Sequence, residues 1–457
     1  MAPLPERRWH NWSGSVACRP QQIAQPTSIE GLVQIIRACS KDNQHVRVVG
    51  SGHSFTPLVQ TDDVLLSLHH MRGIEEIDTE RGTVTVLAGT PLKMLGEVLH
   101  THGLAQENLG GIDAQTIAGA ISTGTHGTGR RSGTLSAQVA GLTLVTASGE
   151  VLECSEDHNR DLFKAAQVSL GTLGVIVRVK LRVVPAKRLH FRSQRERFGS
   201  CLTNFEHYNQ ENSHFEIFWF PHTSWVQVKF LNETNLPVSK RSIRGDFNKV
   251  VLENGMYWLL SECCRLLPPL SRTVSALSTM AIMPVNEVNY SQRAYVAPRV
   301  VRVQAMEYAI PIEDAQAALR EIEACIRQHR FQVHCPLGCR FVRADDIWLS
   351  PAYQRDSAYI AVHMYRGMAY QSYFQHIEEI LQHYQGRPHW GKMHTLDAAR
   401  LATLYPHWHD FRRIRAALDP QGLFLNDYLR QLLDADGPVP PGPAHSEREA
   451  ITGRDAG

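Results

Sequence analysis

The feature that most constrains this chain is the stretch from Asn108 to Gly129, which is crowded with glycine and small polar residues. It holds too few large apolar residues to pack as a helix or as a buried strand. Glycine lets the backbone approach a ligand closely, because no Cβ stands in the way. The many backbone donors and hydroxyls, without bulk, suit a flat ligand with polar edges. The stretch therefore predicts a ligand-binding loop.

A second glycine loop precedes it in the segment Val48-Val49-Gly50-Ser51-Gly52-His53-Ser54-Phe55. Here a predicted strand runs into glycines that can expose successive backbone N–H groups to a phosphate. A dinucleotide fold of the Rossmann type would need a third glycine and a helix directly afterwards, whereas Thr56-Pro57 and a new strand follow. The sequence thus argues against NAD bound in the usual way. An NAD-linked dehydrogenase, which would carry no bound chromophore, remains an alternative.

The composition indicates a folded protein with several cores and a small-molecule site. The chain has 457 residues, of which 43% are hydrophobic, enough for two or three cores. Lys and Arg number 47 against 45 Asp and Glu, so a net charge of +2 is too weak to predict nucleic acid as the partner. The first nine residues lack the apolar core of a secretion signal, and no run reaches the roughly 18 apolar residues of a membrane span. We therefore expect cytoplasmic residence.

The type of predicted secondary structure changes near residue 185, where we place a domain boundary. Before it, short elements alternate: a helix from Ile29 to Ser40 capped by Ser28, a helix from Pro91 to His100 ending at Gly103, and strands at 46–49, 64–68, 83–88 and 174–184. After it come longer amphipathic helices and aromatic strands such as Phe215 to Phe220. The segment 250–270 is apolar but carries charges, which favours a core or surface helix. Residues 434–457 are rich in proline and charge and should be disordered.

Neither the cysteines nor the histidines predict a metal site. The nine cysteines lack ladder spacing, and Cys335 and Cys339 have no second matching pair, so free core thiols are expected. His407-Trp-His409 and His69-His70 show no established ligand spacing. We expect no metal.

A third signal lies far along the chain at Arg387-Pro-His389-Trp-Gly-Lys392, which places an imidazole, an indole and an ammonium within four residues. Its alternative interpretation is a packed aromatic turn.

Taken together, these segments resemble a known family, the sugar-1,4-lactone oxidases (L-gulonolactone and D-arabinono-1,4-lactone oxidase) of the vanillyl-alcohol-oxidase type of FAD flavoproteins. The resemblance runs from Trp9-His-Asn-Trp12 to Phe424-Leu-Asn-Asp-Tyr428. The order and spacing of the matching motifs make the set specific. They are Gly50 to Phe55, Gly124 to Gly129, Phe218 to Pro221, Met306 to Pro311, Arg387 to Lys392 and Leu418 to Pro420.

The resemblance implies an α+β, two-domain fold of the vanillyl-alcohol-oxidase (PCMH-type) class. Residues 1–185 would bind FAD, and residues 186–433 would form a cap of antiparallel sheet plus helices over the isoalloxazine ring and the substrate pocket. The residues implied to bind FAD are Gly50, Ser51, Gly52, His53, Ser54, Phe55, Gly110, Thr116, Gly119, Ser122, Gly124, Thr125, His126, Ile176 and His389.

The resemblance also implies the chemistry. The family attaches the flavin 8α-methyl to a histidine at the position of His53, although some relatives only hydrogen-bond there. His389 and Lys392 would lie at the flavin, where a cation near N1 and O2 stabilises the anionic reduced form. Arg340 and Lys392 would hold the oxygens of a sugar-like alcohol whose carbinol hydride passes to flavin N5. Oxygen would then accept the electrons and give hydrogen peroxide.

One departure bears on the substrate. Family members show Glu-x-Arg where this chain reads Gly338-Cys-Arg340. We expect the pocket to lose a hydrogen-bond acceptor and to gain volume, so that a bulkier alditol or nucleoside competes with an aldonolactone as the substrate. A flavin-binding protein that has lost activity is a further alternative. Gly111 matches a substrate-contacting residue, and Gly110 favours oxygen over the non-oxygen acceptor of a dehydrogenase.

Overall fold

The computed structural model describes residues 8–240, 254–296 and 301–434. The predicted disordered tail, apart from Asp434, and the first seven residues lie outside these ranges.

The first sheet positions the loop that begins at Gly50. Helix α1 (Ile29–Lys41) buries Leu32 and Ile36 on one side, and the Ser28 side chain caps it by accepting a hydrogen bond from the Gly31 amide at 3.1 Å. The helix therefore forms where the sequence predicts it. It accompanies a parallel sheet of three strands in the order β3 (Gln22–Ala24), β5 (Val64–Ser67) and β4 (Val46–Val49), preceded by the pair β1 (Trp9–His10) and β2 (Ala17–Cys18).

A second sheet of five antiparallel strands follows. Its order is β10 (Val151–Ser155), β9 (Val139–Val145), β11 (Val175–Arg182), β7 (Thr83–Leu87) and β6 (Ile74–Asp78). The predicted strands at 83–88 and 174–184 are confirmed within two residues at each end. Between the strands lie α2 (Leu92–Thr101), β8 (Leu104–Ala105), α3 (Ile117–Ser122), a 3-10 turn (Leu135–Gln138) and α4 (Arg160–Ala166), and β12 (Val184–Pro185) pairs with β8.

The expectation that 108–129 contains no helix is wrong. Helix α3 occupies Ile117–Ser122 in the middle of this stretch, and Ile117, Ala120 and Ile121 are buried. These residues recur at the spacing of one helix face, so a single short turn can bury them although the stretch as a whole lacks bulk. The remainder of 108–129 is loop, as predicted.

The largest sheet has eight antiparallel strands. Their order is β16 (Val285–Tyr290), β13 (Arg188–Arg197), β15 (Trp225–Glu233), β14 (His214–Trp219), β18 (Leu337–Val342), β19 (Ser357–Tyr365), β17 (Val303–Pro311) and β20 (Arg387–Pro388). The strand predicted at 215–220 is β14, shifted by one residue.

The two faces of this sheet differ in polarity. On one face Phe215, Trp219 and Phe341 are buried against Phe198 of α5 (Phe198–Thr203) and Phe205 of α6 (Phe205–Glu211). Since side chains alternate along a strand, the neighbouring positions point to the opposite face. That opposite face carries charged residues of β14, β17 and β18.

The remaining helices are α7 (Asn254–Leu266), α8 (Ser271–Met280), α9 (Ser291–Ala294), α10 (Ala315–His329), α11 (Gln371–His383), α12 (Ala398–Leu404), α13 (Trp408–Leu418) and α14 (Asp427–Leu433), with 3-10 turns at Pro268–Leu270 and Ile312–Asp314. Helix α7 exposes Met256, Trp258 and Leu259, so the apolar segment beginning at residue 254 is a surface helix. Residues 250–253 lie outside the described ranges.

All nine cysteines are free thiols, and all are buried except exposed Cys263 and half-buried Cys325. In the part of the chain that the structure describes, no helix is long and apolar enough to cross a membrane.

Candidate functional site

The loop after β4 is shaped for close backbone approach. A Cβ added to Gly50 would lie only 2.3 Å from Oγ1 of Thr116, and Gly52 has a φ of +67°. Both positions therefore require glycine. Ser51 donates its hydroxyl to the carbonyl of Ala114, which ties the loop to the second glycine-rich stretch. The two loops predicted to share a ligand thus lie side by side.

His53 is held in place by the start of the chain. The Trp12 amide donates to the carbonyl of Gly52 at 2.8 Å, and Nδ2 of Asn11 donates to the carbonyl of Ser54 at 2.8 Å. The Trp12 and His53 rings stack with centroids 5.7 Å apart. Burial and then the positive charge of Lys392 lower the pKa of His53, so that its imidazole is neutral at physiological pH. The sequence suggested no role for Asn11 or Trp12.

Residues of the second glycine-rich stretch also pack closely. A Cβ on Gly119 would lie 3.1 Å from Oγ1 of Thr116, and one on Gly110 would lie 3.1 Å from the carbonyl of His126. Nε2 of Gln115 donates to Oγ1 of Thr125 at 3.2 Å. Gly110 is therefore packed against backbone, and Gly119 against the side chain of Thr116.

Three further residues that the sequence predicts to bind the cofactor are Ser122, Gly124 and Ile176. Ser122 ends α3, and its carbonyl accepts from the amide of Leu170 at 3.1 Å. Gly124 follows with a φ of +68°. Ile176 is buried on β11, beside Leu144 of β9.

The segment Arg387 to Lys392 folds onto the His53 loop although some 330 residues separate them in sequence. The Phe55 amide donates to the carbonyl of Gly391 at 2.8 Å, and Oγ1 of Thr56 donates to the carbonyl of Trp390 at 3.0 Å. Nζ of Lys392 lies 4.6 Å from the centroid of the Phe55 ring. The segment therefore brings its ammonium to the predicted cofactor loop.

The alternative interpretation of this segment also describes part of it. Trp390 is fully buried and stacks on Tyr405 at 5.2 Å, and its Nε1 donates to the carbonyl of Leu349 at 2.7 Å. The indole thus serves packing. His389 and Lys392, on either side, remain the chemically available groups of the turn.

Arg340 reaches the glycine loop from the polar face of the eight-stranded sheet. Its Nη2 lies 3.9 Å from the position of a Cβ on Gly111, while its Nε donates to Oε2 of Glu216 at 2.7 Å. Nζ of Lys229 lies 3.4 Å from the other oxygen of Glu216. Desolvation raises the pKa of Glu216, but Arg340 and Lys229 outweigh it and hold that pKa at about 2. Glu216 is therefore ionised.

The gain of volume expected at Gly338 stays a prediction. A Cβ at Gly338 would lie 3.4 Å from Cε1 of Phe218, an ordinary van der Waals contact, so this aromatic ring lines the space beside Gly338. Local sequence could not reveal this contact, because it depends on the pairing of β14 with β18.

A buried polar cluster lies behind Gly110. Nε2 of His126 is 3.2 Å from Oε1 of Glu307, and both side chains are almost fully buried. Nδ1 of His126 lies 2.8 Å from the carbonyl of Gly127 and must donate to it, because a carbonyl oxygen only accepts. Desolvation raises the pKa of Glu307, but the bond to His126 outweighs it and keeps the carboxyl pKa well below its ordinary value.

His389 completes this cluster as a neutral imidazole. Burial lowers the pKa of His389 to about 3. Its Nδ1 accepts from the Gly391 amide at 3.0 Å, so the proton of the neutral ring is on Nε2. Among the described residues, His126, Glu307 and His389 also form a set that could hold a metal ion, with ligand atoms within 4.8 Å of one another. No sequence spacing indicates this set, and the absence of a metal stays a prediction.

Glu216 and Glu307 are the site residues that the sequence reasoning missed. A signal existed, since each is a lone carboxylate in an otherwise apolar strand, within Phe215 to Phe220 and Met306 to Pro311. An ionised group in such a strand must find a partner on its face of the sheet.

The geometry fits FAD as the group between the two halves of the site. Gly50, Gly52 and Gly119 present backbone without side chains in these two loops, as a pyrophosphate site requires. The donors and cations at the far end, Nε2 of His389 and the charges of Lys392 and Arg340, suit the polar edge of a ring.

Comparison with known proteins agrees with this geometry. Residues 20–155 match the family described as FAD binding domain, and residues 179–432 match the family described as D-arabinono-1,4-lactone oxidase. A solved structure titled solvent-stable cholesterol oxidase aligns with a TM-score of 0.79 at 20% identity, covering 93% of this chain and 97% of that one. At such identity it shows the fold alone, and it confirms the predicted vanillyl-alcohol-oxidase (PCMH-type) class.

Relatives of similar length lie closer in sequence. The L-gulono-1,4-lactone dehydrogenase of Mycobacterium tuberculosis is 39% identical over 438 residues, which cover 95% of this chain and all of that protein. The L-gulonolactone oxidase of Mus musculus is 35% identical over 432 residues, 93% of this chain and 98% of that protein. This chain belongs to the D-arabinono-1,4-lactone oxidase family of FAD-binding oxidoreductases.

Proposed function

We propose that this chain is an FAD-dependent oxidase of an aldono-1,4-lactone, such as L-gulono- or D-arabinono-1,4-lactone. A ring carbinol becomes a carbonyl and one O₂ becomes one H₂O₂, which balances two electrons and two protons. The observation that carries the proposal is that Nη2 of Arg340 lies 3.9 Å from the position that a Cβ on Gly111 would take, since this puts a cation for substrate oxygens beside the glycine loop. The relatives named for gulonolactone and arabinonolactone support the substrate class.

FAD, when bound, supplies the two-electron acceptor for this oxidation. Residues 1–185 hold it in this proposal, through the glycine loops at Gly50 to Phe55 and Gly110 to Thr125, and residues 186–433 cap it. His53 carries the covalent bond to the flavin. A neutral imidazole has a free ring lone pair for bond formation, and His53 is fixed between Trp12 and the charge of Lys392.

The cations and donors of the site bind and orient the lactone. Arg340 binds substrate oxygens with the guanidinium nitrogens that Glu216 leaves available, and Lys392 does so from the opposite wall beside Phe55. His389 offers an Nε2–H donor, because its low pKa keeps it neutral at any physiological pH. Gly110 and Gly111 leave room for oxygen and substrate at the ring.

Two alternatives follow from particular observations. Replacement of the family carboxylate by Gly338 supports another carbohydrate alcohol, an alditol or the primary hydroxyl of a nucleoside, as substrate. The M. tuberculosis relative, at 39% identity, is named a dehydrogenase, which supports an acceptor other than oxygen.

The test is a two-stage assay on purified protein. Anaerobic addition of aldonolactones, alditols and nucleosides should bleach the flavin absorbance first and fastest with an aldonolactone. Admission of air should then restore the absorbance and release one peroxide per lactone consumed. Bleaching by an alditol or nucleoside alone would replace the lactone, re-oxidation by a dye but not by air would replace oxygen, and no bleaching by any compound would overturn the function.

A further inference from the structure

Strands β14 and β18 place four side chains in two facing pairs. Glu216 lies directly opposite Arg340, and Phe218 lies directly opposite Gly338. Because residues two apart share a face, all four positions are on the polar side of the sheet. Gly338 stands where the family has a carboxylate, and it faces Phe218 on the neighbouring strand. Arg340, which that carboxylate would accompany, faces Glu216 on the same neighbouring strand.

The first pair supplies the missing charge. Glu216 and Arg340 are joined by a 2.7 Å hydrogen bond, with side chains only 14% and 19% exposed. Lys229, opposite Glu216 on β15, contributes a second positive charge at 3.4 Å. A carboxylate so placed fixes the guanidinium and offsets part of its cost of burial.

The second pair places an aromatic ring beside the missing side chain. The ring of Phe218 stands 3.4 Å from the position of a Cβ at Gly338, in ordinary van der Waals contact, so the ring lines this part of the surface. Nζ of Lys229 lies 4.2 Å from the centroid of the same ring, and this cation–π contact helps to hold the ring in place. The surface beside Arg340 is therefore aromatic where the family pattern has an acid.

We propose that Glu216 and Phe218 have taken over the two roles of the absent family acid, Glu216 as the positioning residue for Arg340 and Phe218 as the specificity-determining wall. A lactone bound here turns a C–H face toward Phe218, where relatives offer an acceptor to a hydroxyl. The inference rests on the proposed function, because it assigns Arg340 to the substrate.

The test moves the carboxylate back to the family position. Four holoproteins are compared by anaerobic titration with L-gulono-1,4-lactone: wild type, Glu216→Gln, Phe218→Ala/Gly338→Glu, and the triple variant Glu216→Gln/Phe218→Ala/Gly338→Glu. We expect Glu216→Gln to raise the apparent Kd about ten- to a hundredfold, as for loss of a charged hydrogen bond, and to lower the limiting reduction rate less. The triple variant should recover most of this affinity.

A matched control is Glu233→Gln, since Glu233 pairs with Lys187 near the sheet edge and is 62% exposed. It should leave Kd, reduction rate and FAD content at wild-type values. If Glu216→Gln does not fold, the triple variant alone decides, because binding of lactone near the wild-type Kd supports the relocation and its absence overturns it.

The two levels of failure are distinguishable. A wild-type protein that no aldonolactone bleaches would defeat the proposed function. A wild type that bleaches, with Glu216→Gln of unchanged Kd or a triple variant no better than Glu216→Gln, would defeat only the role given to Glu216. An unchanged ratio of lactone to alditol affinity in Phe218→Ala/Gly338→Glu would defeat the role given to Phe218.

Discussion

Replacing Gly50 by alanine should damage FAD binding through one contact. The new Cβ would lie 2.3 Å from Oγ1 of Thr116, whereas real Cβ atoms essentially never come closer than 3.0 Å. Either the loop at Gly50 or Thr116 must move, and both line the proposed cofactor groove. Overpacking of this kind costs about 1–3 kcal/mol, which corresponds to about a five- to 150-fold loss of FAD affinity if the displacement falls on the bound state.

The structure offers a variant that relieves the contact. Thr116→Ala removes Oγ1 and Cγ2 and leaves Cβ at 3.5 Å, an ordinary van der Waals distance, so Gly50→Ala/Thr116→Ala should bind FAD better than Gly50→Ala alone. The measurement is a double-mutant cycle of the FAD Kd in a His53→Ala background, where FAD binding is reversible, from titration of flavin-free protein, together with the flavin-to-protein absorbance ratio after purification. Thr116→Ala is measured alone to separate its own contribution.

Gly199→Ala is the control, because a Cβ at Gly199 would meet nothing within 4 Å and α5 lies beneath the far face of the sheet. It should keep full FAD content, with a melting temperature equal to or slightly above that of the wild type, since alanine favours a helix. Wild-type FAD affinity in Gly50→Ala, or effects of the two substitutions that simply add, would refute the steric argument.

Three further predictions follow from single residues. Acid precipitation of the wild type should leave the yellow flavin colour in the pellet, whereas acid precipitation of His53→Ala should release the colour to the supernatant. Release of the colour from the wild type would rule out the covalent bond. Lys392→Met should slow anaerobic flavin reduction at least tenfold, by about 1.4 kcal/mol or more, with FAD content unchanged, and an unaltered rate would remove its role. Burial lowers the pKa of His334 to about 4, below its unfolded value, so the unfolded chain binds more protons between about pH 6.5 and 4 and stability falls as the pH falls. His334 should therefore lower the free energy of unfolding by about 2 kcal/mol between pH 7.5 and pH 5. Denaturant titrations should show this loss in the wild type and not in His334→Gln. Equal pH dependence of stability in the two proteins would contradict the prediction.

The elements that sequence predicts well are those specified by local interactions. Helix α1 follows from its apolar face and from the cap at Ser28, and the loop at Gly50 follows from a strand that ends in glycines. Helix α3 was missed because its buried face needs only Ile117, Ala120 and Ile121, too few to stand out among glycines. Its stability comes from burial against the surrounding sheet, which no window of local sequence contains.

The candidate site divides in the same way. The docking of Lys392 onto Phe55 was predicted only through the family resemblance, since nothing in either segment specifies the other. The contact between Gly338 and Phe218 could not be predicted, because it depends on strand order rather than on spacing along the chain. The sequence of one strand does not determine which residues of β14 lie opposite which residues of β18.

The charges of the polar face nevertheless obey a rule that a sequence can apply. Glu216, Arg340 and Glu307 are each the only acidic or basic side chain within the segments 215–220, 337–342 and 306–311, and each would cost several kcal/mol if buried without a partner. In the sheet they lie on one face, where Arg340 meets Glu216, and Glu307 meets His126 of the glycine-rich loop. Because residues two apart along a strand share a face, isolated charges in apolar strands predict which face of the sheet is polar before the strand order is known.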